Sequence, residues 1–430
     1  MVTLPPAEPA PPADIAEVIT ARPATLKSLR LRGLFISLPL VSVGLSVFWA
    51  ASSSIFLAVQ IRAVDPTGYT GSLALVIGVS TVVSMIAAPL IGTFSDRTRT
   101  RIGARLPWML AGAIATIAVS VGLAFANAIW MFLVLYCLVQ VTTQSVSATL
   151  TPAIPERVPA TRRGAFSAVF GLAGLVGSVV GLSIGAAFAT TVLVGYLAAA
   201  VLLALLVLLF LAISGSREDN RGVPRAPYNW RAVVGTYWVN PVTHPDFAWA
   251  FGGRFLLFTG YFVASAYQLY ILQDYIHLGA GAAAAVPVVG LGTLVGVLIS
   301  SPVAGWLTDR IGRKKVLVAI ASVLMAAGLI IPTFVPTLPG MFAYALIAGI
   351  GFGAYNAVDY VIVTQVLPNP DDVGKDLGII NITTSLPQTL AFAIASLIVG
   401  ALGGYAGLFI VAAVLALVGA LLLIPIKSVR

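Results

Sequence analysis

The sequence has 430 residues, of which 59% are hydrophobic and only 9% are charged, whereas about a quarter of the residues are charged in an ordinary soluble domain. This composition excludes a water-soluble globular protein and indicates membrane spans. One cysteine, Cys137, excludes an internal disulfide and a multi-cysteine metal site, and two histidines leave little for imidazole chemistry. We therefore expect no metal and no cofactor.

The N-terminal segment 1–32 is rich in proline and alanine near its start and lacks the apolar core of a secretory signal. We predict a disordered cytoplasmic tail. Six apolar runs follow, each long enough to cross about 30 Å of hydrocarbon as a helix, and they predict an N-terminal bundle at 33–213. The runs are 33–60, 70–93, 106–126, 128–151, 165–187 and 190–213.

A polar stretch at 214–246 carries arginines and aromatic residues, which predicts a cytoplasmic linker lying on the lipid headgroups. Six more apolar runs predict a second bundle at 247–426, with 427–430 as the cytoplasmic C-terminus. These runs are 247–271, 281–306, 316–336, 340–366, 378–402 and 406–426. The predicted fold is an all-α polytopic membrane protein with twelve transmembrane helices.

Lysine and arginine positions set the expected orientation, because positive charge is retained in cytoplasmic loops. With both termini inside, 23 of the 24 basic residues fall on the cytoplasmic side, and only Arg62 falls outside. The net charge of +9 therefore reflects topology and gives no reason to expect nucleic acid as a partner. We expect a multi-pass protein of the cell membrane that is a monomer in the lipid bilayer.

Two loops repeat a motif at an offset of 213 residues. The loop after run 2 begins at Gly92 and contains Asp96 and Arg97, and the loop after run 8 begins at Gly305 and contains Asp309 and Arg310. Pro155 and Pro368 are separated by the same offset. Two independent pairs at one spacing indicate a duplicated six-helix unit.

The motif resembles Gly-x-x-x-Asp-Arg-x-Gly-Arg-Arg/Lys of the major facilitator superfamily. The longer first copy, which ends Arg105-Leu-Pro-Trp108, is similar to the glycoside-pentoside-hexuronide and sucrose transporter branch. The resemblance implies two pseudo-symmetric six-helix bundles and a cytoplasmic gate. The gate residues that it implies are Gly92, Asp96, Arg97, Arg105, Glu156, Arg163, Gly305, Asp309, Arg310 and Arg313.

The loop chemistry favours the same role. A carboxylate at a helix end can pair with helix N-termini and basic residues of the other half only when the inner faces meet. The alternative is that these residues only set topology, which explains the basic residues but not the repeated glycine and aspartate. Glycines on runs 5 and 8 recur every four residues, which fits either tight packing or a moving interface.

Uncharged polar residues share faces of runs 1, 4, 7, 10 and 11, and polar side chains are costly against lipid. The resemblance implies that helices 1, 4, 7 and 10 surround the cavity, so these residues are candidates for binding a neutral polyhydroxylated solute. Hydrogen bonding between helices is the alternative for each of them. The candidates are Trp49, Ser53, Gln60, Gln140, Gln144, Tyr261, Gln268, Tyr355, Asn356, Asn381 and Gln388.

Only Arg254 and Asp359 are charged within the twelve runs. Their estimated depths are similar, which permits an ion pair, and an intramembrane acid is by default a functional residue. Protonation of Asp359 would then free Arg254 to bind a substrate hydroxyl or carboxylate. The alternatives are a neutral, structural Asp359 and an Arg254 that extends to the inner headgroups.

The sequence favours a secondary transporter of a sugar or glycoside, coupled to a proton. The resembling branch has members with several carboxylates in the first half for cation coupling, whereas runs 1 to 6 have none, so a proton is favoured over sodium. The alternative is a proton-driven exporter of a drug-like or natural-product compound. An enzyme is not expected, and no phosphate-binding Gly-x-x-x-x-Gly-Lys-Ser/Thr motif supports an ATP-driven pump.

Overall fold

Long apolar helices make up nearly all of the computed structural model, which describes residues 24–151, 158, 162–214, 245–311, 314–366, 373–402, 404–422 and 425. The first half contains six helical segments, which begin and end close to the predicted runs. Helix α1 consists of Ala24–Ala51, a π-helical turn Ser52–Phe56 and Leu57–Val64. The others are α2 Tyr69–Arg97, α3 Leu106–Ala124, α4 Ile129–Leu150, α5 Arg163–Ala187 and α6 Val192–Ser214.

The second half repeats this succession. Helix α7 comprises Pro245–Ala266, a break at Tyr267, Gln268–Tyr270 and a π-helical turn Ile271–Tyr275. A 3₁₀ turn, Gly279–Gly281, precedes α8. The remaining helices are α8 Ala282–Ile311, α9 Lys314–Phe334, α10 Leu338–Val366, α11 Val373–Ala401 and α12 Tyr405–Leu421.

Nine of the described helices are long and apolar enough to cross a membrane, and the two parts of α7 together make a tenth. The apolar parts of α11 and α12 are shorter, Ser385–Ala401 and Tyr405–Leu421. The all-helical, multi-pass prediction is confirmed. The count of twelve spans stays a prediction for these last two helices.

The boundary of the N-terminal tail is wrong. Residues 24–32 belong to α1 rather than to a disordered tail, because this stretch contains neither glycine nor proline and is rich in good helix formers. The rest of the predicted tail, most of the linker and the C-terminal residues 427–430 lie outside the described residues. Helix α7 already begins at Pro245, within the predicted linker.

Glycines hold helices close together inside each half. A Cβ on Gly181 would lie 2.4 Å from the carbonyl oxygen of Val47 on α1, so α5 touches the α1 backbone. A Cβ on Gly296 would likewise lie 2.4 Å from the carbonyl oxygen of Leu346, so α8 touches the α10 backbone. Both contacts join helices of the same half. The glycine spacing therefore reflects tight packing here, rather than the interface between the halves.

The halves meet along two other pairs of helices, α5 with α8 and α2 with α11. Gly290 on α8 faces Leu182 on α5, where an added Cβ would lie 2.7 Å from the leucine Cδ1 atom. That neighbour is the end of a flexible side chain, in contrast to the backbone contacts within each half. The interface between the halves is thus less tightly interlocked at this point.

Both central helices are irregular near the same place in the repeat. The π-helical turn Ser52–Phe56 interrupts α1, and the 213-residue offset maps this turn onto 265–269, which includes the break at Tyr267. Across that break α7 bends by 50°. Because π-bulges and breaks release helix hydrogen bonds, they are points where a helix bends.

Candidate functional site

The two halves are joined by an ion pair at one end of the helices. We call this the outer end, because the charge bias predicts that the opposite end, which carries the Asp96 loop, faces the cytoplasm. Arg62 on α1 donates from Nη1 and Nη2 to the two carboxylate oxygens of Asp274 on α7, at 2.8 and 2.6 Å. It also donates to Gln273 at 2.9 Å, and the Tyr69 hydroxyl donates to Asp274 at 2.7 Å.

Two tyrosines of α7 extend this closure around the ion pair. The Tyr270 hydroxyl donates to the carbonyl oxygen of Ala58 on α1, at 2.8 Å. The Tyr267 hydroxyl lies 2.8 Å from the carbonyl oxygen of Thr70 on α2 and 2.9 Å from that of Phe392 on α11. The outer segment of α7 is therefore fastened to three other helices, two of which belong to the first half.

Sequence reasoning missed this outer closure and treated Arg62 only as an exception to the charge bias. A signal was present. Arg62 is the basic residue at the outer end of α1, and Asp274 is an acid at the outer end of α7, 212 residues later. That separation is close to the 213-residue repeat, so the two residues occupy nearly equivalent positions in the two halves.

At the inner end, Asp96 contacts its own loop. Its carboxylate lies 3.3 Å from Nη2 of Arg105, its side chain is 63% exposed, and its backbone carbonyl accepts a hydrogen bond from Arg99 at 2.6 Å. Trp108 donates to Thr98 at 2.8 Å and closes the same loop. In the described part of the chain, Asp96 thus finds its partners within its own loop.

The other predicted gate residues divide into two sets. Gly92, Arg97, Gly305 and Arg310 lie near the inner ends of α2 and α8, and both glycines face open space. The Arg310 guanidinium lies 5.2 Å from the ring centre of Trp306. The described residues do not include Glu156 or Arg313, and they do not include the side chains of Arg163 and Asp309. The gate role of these four residues stays a prediction.

Arg254 and Asp359 form an ion pair in the interior of the second half. The Arg254 Nη1 atom donates to Oδ2 of Asp359, and the two residues are only 7% and 3% exposed. The guanidinium also lies over the ring of Phe258, 4.8 Å from its centre. Arg254 is thus held among α7 and α10 side chains, and it does not extend to the headgroups.

Aromatic rings surround this pair. Tyr261 stacks on Phe352, with ring centres 4.2 Å apart, and Phe258 contacts Phe352 and Tyr355 at 5.5 and 5.8 Å. The Asn356 amide donates to the Phe352 carbonyl at 2.9 Å. The structure therefore brings the predicted binding residues Tyr261, Tyr355 and Asn356 together around one charged centre.

In the first half, two predicted binding residues lie at the interface of α1 and α4. Trp49 donates from Nε1 to the hydroxyl of Thr143 at 3.2 Å, and the Ser53 hydroxyl donates to the Trp49 carbonyl at 2.7 Å. Gln140 on α4 is half-buried. These groups form an uncharged polar face, in contrast to the ion pair of the second half.

Other predicted binding residues are used differently. The Gln60 amide donates to the carbonyls of Leu123 and Ala124 and accepts from Tyr196, so it fastens α1 to α3 and α6. Gln144 donates to Ser84 on α2 at 2.6 Å. Helix periodicity identified polar faces but could not say which neighbour each face meets.

The remaining candidates lie in α7 and α11. Gln268 is half-buried next to the break in α7, and Gln388 on α11 is exposed. The side chain of Asn381 lies outside the described residues. No role for these three follows from their contacts.

Comparison with solved structures shows a shared fold. A POT family transporter in complex with a thioalcohol-conjugated peptide has a TM-score of 0.69 at 15% identity, over 90% of this chain and 94% of that one. A POT family transporter in complex with 5-aminolevulinic acid has a TM-score of 0.68 at 15% identity, over 90% of this chain and 94% of that one. The nucleoside transporter NupG gives 0.71 at 14% identity, over 90% of this chain and 98% of that one.

A comparison with curated proteins finds no match. The family described as MFS/sugar transport protein matches residues 69–408, which is most of the chain and includes both motif loops and the ion pair. The resemblance seen in the Asp96 and Asp309 loops is thereby confirmed. The chain belongs to the MFS/sugar transport protein family of membrane transporters.

Proposed function

We propose that the protein is a proton-coupled secondary transporter that moves a sugar or glycoside by alternating access. The observation that carries the proposal is the buried Arg254–Asp359 pair, because ionisable groups inside a membrane bundle commonly mark ion and substrate pathways. The family supports a sugar as the solute. The protein functions as a monomer in the cell membrane with both termini on the cytoplasmic side, and it needs no cofactor.

Asp359 is the proposed proton-binding group. Its charge is balanced by Arg254, so protonation would leave the arginine to interact with the solute. Among the described side chains, several other titratable groups lie on α10 and on the helices packed against it. They are Asp246, Tyr261, Tyr267, Tyr270, Asp274 and Tyr275 on α7, Arg310 on α8, Lys315 on α9, and Tyr344 and Tyr355 on α10 itself. The two basic residues lie at the inner ends of their helices. Asp359 is thus the buried acid best placed to couple proton and solute.

The alternating-access part rests on the two ends of the helices. The Arg62–Asp274 pair joins the halves at the outer end, and Asp96 contacts its own half at the inner end. This asymmetry supports an outward-closed conformation in a cycle where each end closes in turn. In the outward-open conformation, Asp96 and Asp309 would engage the opposite half.

The second candidate is a proton-driven exporter of a drug-like compound. The rings of Phe258, Tyr261, Phe262 and Phe352, which contact one another around Arg254, would suit an amphipathic aromatic solute as well as the apolar face of a sugar. The uncharged polar face formed by the Trp49 indole N–H and the hydroxyls of Ser53 and Thr143 favours the sugar.

One experiment separates the two candidates. Purified protein is screened by thermal unfolding against sugars, glycosides and cationic dyes, because a ligand that binds only the folded state raises the melting temperature. The compounds that stabilise it are then tested for uptake into proteoliposomes under a pH gradient. Stabilisation and uptake of a sugar support the proposal, whereas stabilisation by dyes alone would replace it with the exporter.

A further inference from the structure

Two residues just beyond α7 have a left-handed backbone, and one of them is not a glycine. His277 has a φ of 60° and Gly279 has a φ of 52°. In this region the Cβ atom of an L-residue crowds the following carbonyl oxygen, so the conformation is open to glycine and costly for other residues. His277 is the one non-glycine residue with a positive φ in the described part of the chain. The end of α7 therefore carries backbone strain.

The hydrogen bonds at the end of α7 are also irregular. The Ile276 N–H donates to the Ile271 carbonyl, five residues earlier, at 2.9 Å, and the Leu278 N–H donates to the Leu272 carbonyl, six residues earlier, at 3.0 Å. A regular α-helix joins residues that are four apart, and wider turns are rare. The last turns of α7 thus depart from the α conformation in the same stretch that contains His277.

The first half contains a regular copy of this segment. The 213-residue offset maps the π-helical turn Ile271–Tyr275 onto 58–62, which is α-helical, and it maps His277 onto the last residue of that helical stretch of α1. There the Asp65 N–H donates to the Ile61 carbonyl, four residues earlier, at 2.8 Å. The same place in the repeat can therefore be helical without strain.

Contacts with the first half hold the strained end in place. The outer part of α7 bonds to α1 and α2 through Tyr270, Gln273 and Asp274. In its own half, the Tyr275 hydroxyl donates to a carbonyl of α9. The outer part of α1, by contrast, is fastened to α3 and α6 of its own half by Gln60. When the outer end opens, α7 loses its bonds to α1 and α2, whereas α1 keeps those of Gln60, so α7 is the helix that is free to change its conformation.

We propose that the end of α7 stores strain that favours opening of the outer end, and that His277 sets the amount of this strain. In the outward-closed conformation, the bonds to the first half hold His277 and Gly279 in the left-handed region. When these bonds break, the segment returns to a regular helix, and the release of strain offsets part of the lost bonding. The inference rests on the alternating access of the proposed function and identifies a residue that balances the two conformations.

The first test compares two glycines of one turn. A Cβ on Gly279 or on Gly281 would meet none of the described atoms within 4 Å, but of the two only Gly279 has a positive φ. Gly279→Ala therefore adds strain to the closed conformation without a clash, and we expect it to raise the outward-open population about five-fold. Gly281→Ala is the matched control and is expected to change nothing. The readout is labelling of a cysteine at Ser53 by an impermeant maleimide added from outside, without solute and with Cys137 replaced by serine.

The second test varies His277 itself. His277→Gly removes the Cβ atom and is expected to lower the labelling about five-fold. His277→Val is expected to raise the labelling, because β-branched residues are the least tolerated at positive φ. His277→Asn lacks the imidazole but tolerates the left-handed region, so we expect it to label like the parent. If strain favours opening, adding His277→Gly to Asp274→Asn brings the faster labelling of Asp274→Asn back toward the parent rate.

The outcomes separate stored strain from other roles of this turn. If His277 and Gly279 keep the same backbone in both conformations, the substitutions would change the melting temperature and leave the labelling rates equal, which would overturn the inference. Labelling of His277→Asn that matches His277→Val would also overturn it, because the effect would then belong to the imidazole. Solute uptake by the parent protein in proteoliposomes is measured separately. Labelling in the predicted order without uptake of any solute would support the stored strain and overturn the proposed transport function.

Discussion

Arg62 and Asp274 lie in different halves of the protein and hold each other through two parallel hydrogen bonds, at 2.8 and 2.6 Å. One residue ends the outer part of α1, and the other lies in the π-helical turn that ends α7. A bidentate pair of this kind requires close and specific alignment. It can persist only while the outer ends of α1 and α7 touch, so its presence reports a closed outer end.

The first prediction is that Asp274→Asn opens the outer end. The substitution keeps the size of the side chain and removes the charge that holds Arg62. The pair is partly exposed, with side-chain exposures of 35% and 24%. We therefore expect the substitution to destabilise the closed state by about 1 kcal/mol, which increases the population of the open state about five-fold. The measurement is labelling of a cysteine introduced at Ser53, in a background with Cys137 replaced by serine, by an impermeant maleimide added from outside.

Asp65→Asn is the matched control for this prediction. Asp65 lies at the same end, but it accepts hydrogen bonds from Ser72 and Gly68 of its own half, and these lower the pKa of its carboxyl group. The control removes one negative charge without separating the halves. Equal labelling rates in Asp274→Asn, Asp65→Asn and the parent would show that the ion pair does not hold the outer end closed.

The second prediction concerns Asp96 and the opposite conformation. If Asp96 is part of the inner gate, Asp96→Asn weakens the outward-open state and leaves the outward-closed state, where Asp96 is 63% exposed, nearly unaffected. We expect the outward-open state to be destabilised by about 1 kcal/mol, so that labelling of the Ser53 cysteine from the cytoplasmic side rises about five-fold. Asp309→Asn is expected to act in the same direction.

Inside-out membrane vesicles give access to that side. Arg105→Gln is the informative companion, since Arg105 lies 3.3 Å from Asp96 within the same loop. If Asp96 serves only to shape its loop, both substitutions would change the thermal stability and neither would change the labelling. Unchanged labelling in Asp96→Asn and Asp309→Asn together would rule out the gate role.

The sequence predicted the helices well, because crossing a membrane demands long apolar runs and the charge bias is strong. It also predicted the intramembrane ion pair, since two opposite charges in hydrocarbon need partners. The outer closure was missed because the 212-residue separation of Arg62 and Asp274 indicates equivalent positions in the two halves but does not show that these positions come into contact. Helix breaks at Ser52–Phe56 and Tyr267 were missed because no proline or glycine marks them.

The third prediction concerns Gln60, a predicted binding residue whose observed contacts are with other helices of the first half. Its amide makes three contacts within the first half, with the Leu123 and Ala124 carbonyls and the Tyr196 hydroxyl. We expect Gln60→Leu to lower the free energy of unfolding by about 1–2 kcal/mol and to leave solute affinity close to wild type. Thermal unfolding and solute titration of the purified variant measure the two effects.

Ser53→Ala makes the complementary comparison, because Ser53 lies in the uncharged polar face, where it donates to the Trp49 carbonyl and contacts Tyr136 on α4. It is expected to change solute affinity more than stability. If Gln60→Leu has normal stability but binds the solute more weakly, Gln60 contributes to solute binding rather than to helix packing.

The fourth prediction tests the packing of α5 on α1. Gly181→Ala would place a methyl group 2.4 Å from the Val47 carbonyl oxygen, and a backbone atom cannot move away as a side chain can. We expect a loss of about 1–3 kcal/mol from overpacking, measured as a lower melting temperature in detergent. Gly171→Ala on the same helix faces open space and is expected to leave the melting temperature unchanged or raise it. Equal effects of the two substitutions would show that α5 does not depend on close approach to α1.

The fifth prediction is that Arg254 and Asp359 are energetically coupled. Arg254→Ala leaves a buried carboxylate without its counter-charge, and in soluble proteins such a loss costs about 3–5 kcal/mol. Without the positive charge, the ionised form of Asp359 is disfavoured, so Asp359 takes up its proton at higher pH. The pH dependence of solute uptake is therefore expected to shift to higher pH in Arg254→Ala, whereas Asp359→Asn is expected to abolish pH-driven accumulation and to preserve solute exchange.

The double variant Arg254→Ala with Asp359→Ala completes the thermodynamic cycle. Because it removes both charges, we expect it to be more stable than Arg254→Ala alone, with a coupling energy of about 1–3 kcal/mol from thermal unfolding of the four proteins. The contact between Arg254 and Phe258, at 4.8 Å, is lost in both arginine variants and therefore cancels in the cycle. If the losses of stability are additive and the pH dependence of uptake is unchanged in Arg254→Ala, the two residues are in contact but are not energetically coupled, and the prediction is wrong.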